Sequence, residues 1–427
     1  MKRWLLLAIM ALFCLIPFVI WAQTLGSQLP AAVYVYAIGR LLALLGFVFL
    51  FFQYVFSAKI KWIERGIGLD HLFAIHRVSG VIGLLLIAGH PIPLFLSDLM
   101  QGYRPAISAP KLVGFTTLLL LLLGAGAAIF AGRLRLKYET WKAIHWLNYL
   151  ALPLGVGHSL VLGSDVAGTA LKFFWITLLA LYFLILPSKL WRRFRMRRHP
   201  YRVVRVTQET HDTWSLAFQG EPLAHRPGQF LIVQLVRRGR VSEPHPFTIA
   251  SSPSSDVLQI TVKQVGDFTA TIGETQVGDA ALIDAPYGVF SYTRHDAPSL
   301  VFIAGGIGIT PFMSMLRDMC ARGIQRKVLL IWGNKTERDI PFRQELEEMA
   351  AKLQSLRVIH VLSRQEDWPG EKGYVDTARL RRLLGEQADI AQVFLCGPPV
   401  MMDKVLQSLR ELGIPRRRIH YERFALR

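Results

Sequence analysis

Four histidines lie in two strongly apolar stretches of the chain. His76 and His90 are 14 residues apart in one stretch, and His145 and His158 are 13 residues apart in the other. An ionisable side chain in a segment that crosses a bilayer is costly and usually has a functional partner. Imidazole is a ligand of haem iron. Two helices that each offer imidazole at two depths could therefore hold two stacked haems, each bound by two histidines.

Helical geometry fits the first pair better than the second. Fourteen residues of helix rise about 21 Å, so the two histidines of one pair belong to separate sites. At about 100° per residue, His76 and His90 fall within about 40° of one face, whereas His158 lies roughly 140° from His145. Pro153 lies between the second pair and predicts a kink that could re-aim His158. The alternative is that these histidines pack helices together through bonds to carbonyl groups.

Six apolar segments are long enough to cross a hydrocarbon core of about 30 Å. Hydrophobic residues make up 52% of the 427 residues, and the mean hydropathy is +0.34. We expect an all-α transmembrane helical bundle in this half of the chain. The first segment also has the charged start and apolar run of a cleaved signal peptide, which is the alternative for residues 1–22. The segments are 4–22, 33–56, 72–95, 112–130, 145–163 and 171–187.

The net charge of +19 does not indicate a nucleic-acid-binding protein, because many basic residues flank the apolar segments. They concentrate on alternate loops, and basic loops stay on the cytoplasmic side of a membrane. The sequence predicts a multi-pass protein of the cell membrane, with both termini and everything after residue 190 in the cytoplasm. These loops should contact anionic head groups of the lipid bilayer. The flanking residues are Lys2, Arg3, Lys59, Lys61, Arg65, Arg133, Arg135, Lys137, Lys142, Lys189, Arg192, Arg193, Arg195, Arg197 and Arg198.

The three cysteines limit the choice of electron carriers. Cys14, Cys320 and Cys396 are scattered, and their spacing indicates no zinc site, disulfide framework or iron–sulfur cluster. A one-electron carrier in this chain must therefore be haem or flavin.

Arg40 is a second unusual charge in the apolar half. It lies a turn or two inside the outer end of the second segment. One interpretation is an arginine whose head extends to the membrane interface. The other is a cation beside the outer haem, where it pairs with a propionate or attracts an anionic product.

Residues 200–295 alternate short apolar runs with turn residues, which predicts a small antiparallel β-barrel. The clearest strands are 202–206, 214–218 and 230–235. Four motifs stand in a fixed order in this region, and in that order they resemble the flavin-binding domain of the ferredoxin–NADP reductase superfamily. The motifs are His245-Pro-Phe-Thr248, Ala250-Ser-Ser-Pro253, Gly266-Asp-Phe-Thr269 and Asp284-Ala-Pro-Tyr-Gly288, and Pro227-Gly-Gln-Phe230 precedes them.

The rest of the chain alternates strands with helices, which predicts an α/β doubly wound sheet. Gly305-Gly-Ile-Gly-Ile-Thr-Pro311 joins the first strand to its helix, where backbone amides and the helix dipole favour a pyrophosphate. Cys396-Gly-Pro-Pro399 follows a later strand, and the two turns together match the nicotinamide-binding corners of the reductase superfamily. Ser363-Arg364 offers a hydroxyl and a guanidinium to a 2′-phosphate, which favours NADPH, with NADH as the alternative. Glu422-Arg-Phe424 resembles the tail that places an aromatic ring over the flavin.

Taken together, these residues resemble the NADPH oxidase and ferric reductase transmembrane superfamily over nearly the whole chain. His245 stands where soluble ferredoxin reductases have arginine, and histidine there is typical of the oxidase branch. Leu94 occupies the place of a further histidine in eukaryotic oxidases, so the chain departs from the oxidase-type oxygen pocket at that position. The match is carried by His76-Arg77, His90, Tyr138-Glu139, His145, His158 and His245-Pro-Phe-Thr248.

The resemblance implies a multi-domain membrane protein with a haem domain at 1–190, an FAD-binding β-barrel at 199–297 and an NAD(P)H-binding α/β domain at 298–427. It implies FAD, two b-type haems and NADPH as cofactors. His76 with His145 would ligate the inner haem, and His90 with His158 the outer haem. The expected FAD residues are His245, Pro246, Phe247, Thr248, Lys263, Gly266, Thr269 and Phe424. The expected NADPH residues are Gly305, Gly306, Gly308, Thr310, Ser363, Arg364, Cys396 and Gly397, with Cys396 beside the nicotinamide rather than acting as a nucleophile.

These features predict an enzyme that carries electrons across a membrane. Electrons would pass from NADPH to FAD, to the inner haem, to the outer haem and then to an external acceptor, with O2 giving superoxide as the leading candidate. A ferric chelate is the alternative acceptor. A further alternative is a membrane-anchored flavin reductase without haem that serves a partner protein, which the sequence does not identify.

Overall fold

The computed structural model describes residues 3–26, 29–104, 107–167, 169–385, 388 and 390–423. The chain divides into two compact units, Met1–Arg193 and Phe194–Arg427. The described part of the first unit is helical, and apolar side chains such as Phe47, Leu152 and Trp175 form its core. Its helices are α1 (Arg3–Gln23), α2 (Ala31–Ser57), α3 (Lys61–Ile67), α4 (Leu69–Gly89), α5 (Pro91–Met100), α6 (Ala109–Phe130), α7 (Tyr138–Trp146), α8 (Ala151–Leu162), α9 (Ser164–Ala167) and α10 (Leu171–Arg198).

Within the described residues, five helical spans are long and apolar enough, by length and composition, to cross a membrane. They correspond to the predicted segments except 145–163. Helices α4 and α5 form one span, because His90 between them has helical dihedral angles (φ −62°, ψ −33°). The spans are Trp4–Gln23, Ala31–Ser57, Leu69–Met100, Ala109–Phe130 and Leu171–Arg198.

The segment 145–163 differs from the single kinked helix that the sequence predicts. It is divided among the end of α7, a 3-10 turn at Leu147–Leu150, and α8. Pro153 lies in the first turn of α8, where a missing backbone N–H breaks no helical hydrogen bond. The helix is interrupted at Leu147–Leu150, before the proline and not at it.

A seven-stranded antiparallel sheet comes first in the second unit. Its strand order is β4-β3-β7-β1-β2-β6, and β5 pairs with β3. The three strands predicted most clearly lie within β1, β2 and β3. The strands are β1 (Tyr201–Thr210), β2 (Thr213–Gln219), β3 (Phe230–Arg237), β4 (Arg240–Val241), β5 (His245–Thr248), β6 (Leu258–Lys263) and β7 (Ala280–Tyr287), and the short helix α11 (Asp267–Ala270) follows β6.

A six-stranded parallel sheet, ordered β11-β10-β9-β8-β12-β13, completes the unit. Phe302 of β8 packs toward α12 and α13, and its neighbour Ile303 packs toward α14 and α15, so helices cover both faces as predicted. The elements are β8 (Ser299–Gly305), α12 (Thr310–Arg322), β9 (Lys327–Asn334), α13 (Arg343–Lys352), β10 (Leu356–Leu362), β11 (Glu371–Lys372), α14 (Thr377–Leu384), β12 (Gln392–Cys396), α15 (Pro399–Glu411) and β13 (Ile419–Glu422).

Candidate redox sites

His76 of α4 and His145 of α7 face each other inside the helical unit. Their ring centroids are 6.3 Å apart, and the ring planes are inclined at 71°. Two imidazoles on opposite sides of one metal ion, with bonds of about 2 Å, have centroids roughly 6 Å apart. The pair is therefore spaced for a metal ion between the two rings. Trp141 stacks on His145 with a centroid distance of 5.6 Å and fixes one face of that ring.

Three of the four histidines have their Nδ1 atom bound to a backbone carbonyl. Nδ1 of His145 lies 3.1 Å from the carbonyl oxygen of Gly124, and Nδ1 of His158 lies 2.8 Å from that of Pro110. Nδ1 of His90 lies 2.5 Å from a carbonyl oxygen of its own helix. A carbonyl can only accept, so Nδ1 carries the proton in each ring. The lone pair is then on Nε2, which is the arrangement of a metal-binding imidazole.

The two carbonyls on α6 define two levels in the unit. Pro110 and Gly124 are 14 residues apart on this regular helix, a rise of about 21 Å. The same number of residues separates His76 from His90. The 3-10 turn before α8 thus leaves both histidines of the second pair bound to one helix, at depths that match the first pair.

Two glycines of α6 allow this close approach. A Cβ atom on Gly114 would lie 2.5 Å from Cε1 of His158, and one on Gly124 would lie 2.2 Å from Oδ1 of Asn148. Asn148 in turn places its Nδ2 atom 3.5 Å from Nδ1 of His145. A side chain on Gly114 would displace the His158 ring itself. A side chain on Gly124 would displace Asn148, which lies beside His145. No sequence motif singled out either glycine. Small residues in a leucine-rich helix are the feature that indicates such close contacts.

Arg40 forms an ion pair inside the helical unit. Its Nη1 atom lies 2.9 Å from Oδ1 of Asp165, which is almost fully buried, and it also donates to Ser164. Nη2 donates to Thr24 at 3.0 Å. Its charge is paired within the protein, so the geometry favours an anchoring role over a cation that faces a haem propionate.

The His245-Pro-Phe-Thr248 motif forms strand β5 beside β3. The ring of His245 stacks on Phe268, with centroids 3.9 Å apart and planes inclined at 13°. The ring centroid of Phe247 lies 6.2 Å from that of Phe268. Thr248 is buried, and its hydroxyl has no hydrogen-bond partner among the described residues. A buried hydroxyl without a partner is a candidate contact for a bound cofactor.

Two other predicted flavin residues are engaged within the protein. Thr269 Oγ1 accepts from the backbone N–H groups of Val265 and Gly266 at 2.9 Å and donates back to the Gly266 carbonyl. Lys263 Nζ lies 3.0 Å from Asp212 and 3.7 Å from Asp339. Burial alone would raise the pKa of Asp212, but the hydrogen bond and charge of Lys263 outweigh it and hold that pKa below its usual value.

The two glycine-containing corners meet where the strand order of the parallel sheet reverses. Strands β8 and β12 are neighbours, and Ala304 pairs with Cys396. A Cβ atom on Gly308 would lie 2.4 Å from the carbonyl oxygen of Cys396, and one on Gly397 would lie 3.1 Å from Cα of Gly305. The crevice at such a reversal is where open α/β sheets bind ligands. The start of α12 lies there, with backbone amides suited to a phosphate.

Family models match three consecutive parts of the chain. Residues 42–156 match the ferric reductase like transmembrane component, residues 198–291 an FAD-binding domain, and residues 302–407 the oxidoreductase NAD-binding domain. The chain has the architecture of the NADPH oxidases and ferric reductases. It is a membrane protein, and its second unit consists of the FAD- and NAD-binding domains of an NAD(P)H oxidoreductase.

Curated relatives resemble about half of this chain. The glycine betaine monooxygenase reductase subunit of Chromohalobacter salexigens is 31% identical over 53% of the chain and 64% of its own length. The ferredoxin reductase component of 3-ketosteroid-9-alpha-monooxygenase from Rhodococcus rhodochrous is 32% identical over 51% and 63%. NADH-cytochrome b5 reductase 1 of Candida glabrata is 27% identical over 51% and 80%. The chain thus spans less than two thirds of the length of the first two relatives.

In this reductase unit, Ser363 and Arg364 lie at the end of β10, beside the end of β9. The Ser363 amide donates to the carbonyl of Asn334 at 3.0 Å, and the Arg364 amide donates to that of Lys335 at 2.9 Å. Asn334 is buried, and neither polar atom of its side chain has a partner among the described residues. Asn334 is therefore a further candidate contact for the dinucleotide, and no sequence motif singled it out.

Cys396 is completely buried at the end of β12. Burial, and secondarily the nearby carboxylate of Glu422, raise the pKa of its thiol well above the usual value. The group is a thiol at physiological pH and is not an activated nucleophile. This supports the expectation that Cys396 does not act as a nucleophile, and its position beside a nicotinamide stays a prediction. Phe424 lies outside the described residues.

Proposed function

We propose that this protein is a transmembrane oxidoreductase that passes electrons from cytoplasmic NADPH, through FAD and two b-type haems, to O2 on the outer face and so produces superoxide. The spacing of His76 and His145 is the observation that carries the proposal. The α6 carbonyls at two levels support a second site of the same kind. The transmembrane family match supports the membrane half, and the FAD- and NAD-binding matches support the dehydrogenase half. The proposed domain limits are 1–190, 199–297 and 298–427.

Four histidines match two haems in number, the spacing of His76 and His145 suits one iron, and protonation at Nδ1 of three of the rings leaves the Nε2 lone pair available. His76 with His145 and His90 with His158 would hold the two haem irons through Nε2. Hydrogen bonds from Nδ1 to backbone carbonyls fix the orientation of three of the rings and raise their basicity. Protein ligands and their hydrogen bonds set the potential of such a centre.

The dehydrogenase residues fit the flavin and the dinucleotide. FAD, when bound, accepts two electrons from NADPH and gives them up one at a time. His245, Pro246, Phe247 and Thr248 would bind it, with Phe424 proposed to cover its ring. Gly305, Gly306, Gly308, Thr310 and Gly397 would admit the pyrophosphate and nicotinamide, and Ser363 with Arg364 would bind a 2′-phosphate.

The direction of transfer follows from the distribution of charge. Basic loops favour a cytoplasmic dehydrogenase unit and an outward path in the cell membrane. An electron that leaves a negative-inside cell moves downhill by about 2.3 kcal/mol per 100 mV. The membrane potential therefore assists outward transfer.

A ferric chelate is the second candidate acceptor. The description of the transmembrane family favours it. Leu94 also favours it, because this residue replaces a histidine of the oxidase pocket. Leu94 packs closely on Gly39, since a Cβ atom on Gly39 would lie 2.8 Å from Leu94 Cδ2. Both acceptors would use the same electron path.

Absorption spectra of the purified protein in detergent test the proposal. NADPH under nitrogen should reduce a low-spin haem spectrum. Rapid reoxidation in air, with cytochrome c reduction that superoxide dismutase inhibits, would support the oxidase. Slow reoxidation in air and fast reoxidation by ferric citrate would support the ferric reductase. A protein without haem would be a membrane-anchored flavin reductase, and the proposed path would be wrong.

A further inference from the structure

Lys189, near the carboxyl end of α10, is a partly buried cation with neutral partners. Its Nζ atom donates to Ser57 Oγ at 3.0 Å and to the hydroxyl of Tyr149 at 2.7 Å. It also lies 5.1 Å from the centroid of the Tyr149 ring. Among the described residues, no carboxylate forms an ion pair with it. An ammonium group withdrawn from water without an anion is costly, and the described part of the chain offers its three N–H donors two hydrogen-bond acceptors.

Tyr149 supplies a second donor at the same place. Its hydroxyl oxygen accepts from Lys189, and the hydroxyl can turn its hydrogen either to Ser57 or to a bound anion. An ammonium and a phenol hydroxyl 2.7 Å apart can each donate to one oxygen of the same carboxylate. Hydrogen bonds of this kind to a charged acceptor are stronger than neutral ones.

The donor pair is fixed to the segment that holds His145. Tyr149 belongs to the 3-10 turn Leu147–Leu150, which directly follows α7. Asn148 in the same turn lies 3.5 Å from Nδ1 of His145, and its carbonyl accepts a hydrogen bond from Tyr54 at 2.5 Å. A metal complex between His76 and His145 would therefore lie close to this turn.

We infer that Lys189 and Tyr149 bind an anionic carboxylate, namely a propionate of the inner haem. The inference rests on the proposed function. The phosphate of a lipid head group is the other source of an anionic oxygen at this position. Propionate binding would retain the haem and raise its potential, because a nearby cation favours the more negative, reduced state.

Selective binding of the propionates tests the inference. The full-length chain is produced without haem and titrated with haem and with haem dimethyl ester, whose propionates carry no charge. We expect the wild type to bind haem about tenfold or more tighter than the ester, K189M to lose this preference, and Y149F to lose part of it. K172M is the matched control, because Lys172 is an exposed lysine at the other end of α10 and should leave the preference unchanged.

Each other outcome has a distinct meaning. A wild type that binds no haem overturns the proposed function itself. Haem binding with an unchanged preference in both K189M and Y149F overturns the inference alone. If K189M instead loses a stabilisation by phosphatidylglycerol in nanodiscs, with its haem preference intact, the anion is a lipid phosphate and the propionate assignment is wrong. Y149F also serves if K189M does not fold, because it removes a donor without removing charge.

Discussion

The two halves of the molecule position their candidate redox groups in different ways. In the helical unit, backbone carbonyls of α6 and glycine contacts hold the histidines. In the dehydrogenase unit, strand ends bring the glycine corners together, and ion pairs such as Lys263 with Asp212 join neighbouring elements. The first kind of site depends on helix packing around the histidine rings, whereas the second depends on the close approach of strand ends and on charge. Substitutions that change one property at a time should separate them.

The largest effect should come from G308A in the dehydrogenase unit. The new Cβ atom would lie 2.4 Å from a backbone carbonyl oxygen that cannot turn aside, so β8 and β12 must shift. We expect NADPH to reduce the flavin orders of magnitude more slowly, while FAD content stays normal. Stopped-flow flavin bleaching under nitrogen measures this. G333A is the control, because its Cβ atom has ordinary contacts at 3.8 Å; equal rates in both variants would contradict the predicted corner.

The second-largest effect should be the loss of a haem from the membrane half when volume is added there. In G114A, the Cβ atom would meet the His158 ring at 2.5 Å, and overpacking of this kind costs about 1–3 kcal/mol. We expect loss of the outer haem and retention of the inner one, measured by the pyridine haemochrome assay per flavin. Gly126 lies on the same helix, and no described atom outside that stretch of helix lies within 4 Å of its Cβ position. G126A should therefore keep both haems. Equal haem content in the two variants would show that α6 does not position His158.

A charge change in the membrane half tests whether electrostatics matter there. D165N should destabilise the helical unit by about 3–5 kcal/mol, because it leaves the Arg40 charge without its carboxylate. The thermal midpoint of the haem absorbance measures this loss. If Arg40 has only an anchoring role, R40M should show a similar midpoint, and neither variant should change the haem potential. A lower potential in R40M alone would restore the interpretation of Arg40 as a cation beside the outer haem.

The sequence predicts the parts of this structure that depend on local pattern. The apolar spans, the first three strands of the antiparallel sheet and the two glycine corners each have a periodic or turn signature. The interruption at Leu147–Leu150 could not be predicted, because Pro153 is the visible helix breaker and yet lies harmlessly in a first turn. Asn334 and Lys189 also carry no motif. Their importance depends on which partners the fold leaves them, and that is a tertiary property.

The smallest predicted effect concerns the ion pairs around Lys263, where the dehydrogenase unit should depend on pH. The carboxyl pKa values of Asp212 and Asp339 lie below their usual values. In both, burial is outweighed by hydrogen bonds and charge: Lys263 is the main partner of Asp212, whereas Thr336 lowers the pKa of Asp339 more than Lys263 does. Their stabilisation is therefore complete above the unfolded-state pKa and is lost as the pH falls through the lower folded-state values. K263M should cost about 1 kcal/mol or less at pH 7 and should flatten the loss of stability in acid. The thermal release of flavin fluorescence between pH 3 and pH 7 measures both. If the wild type and K263M lose stability in parallel as the pH falls, the ion pairs do not join these elements.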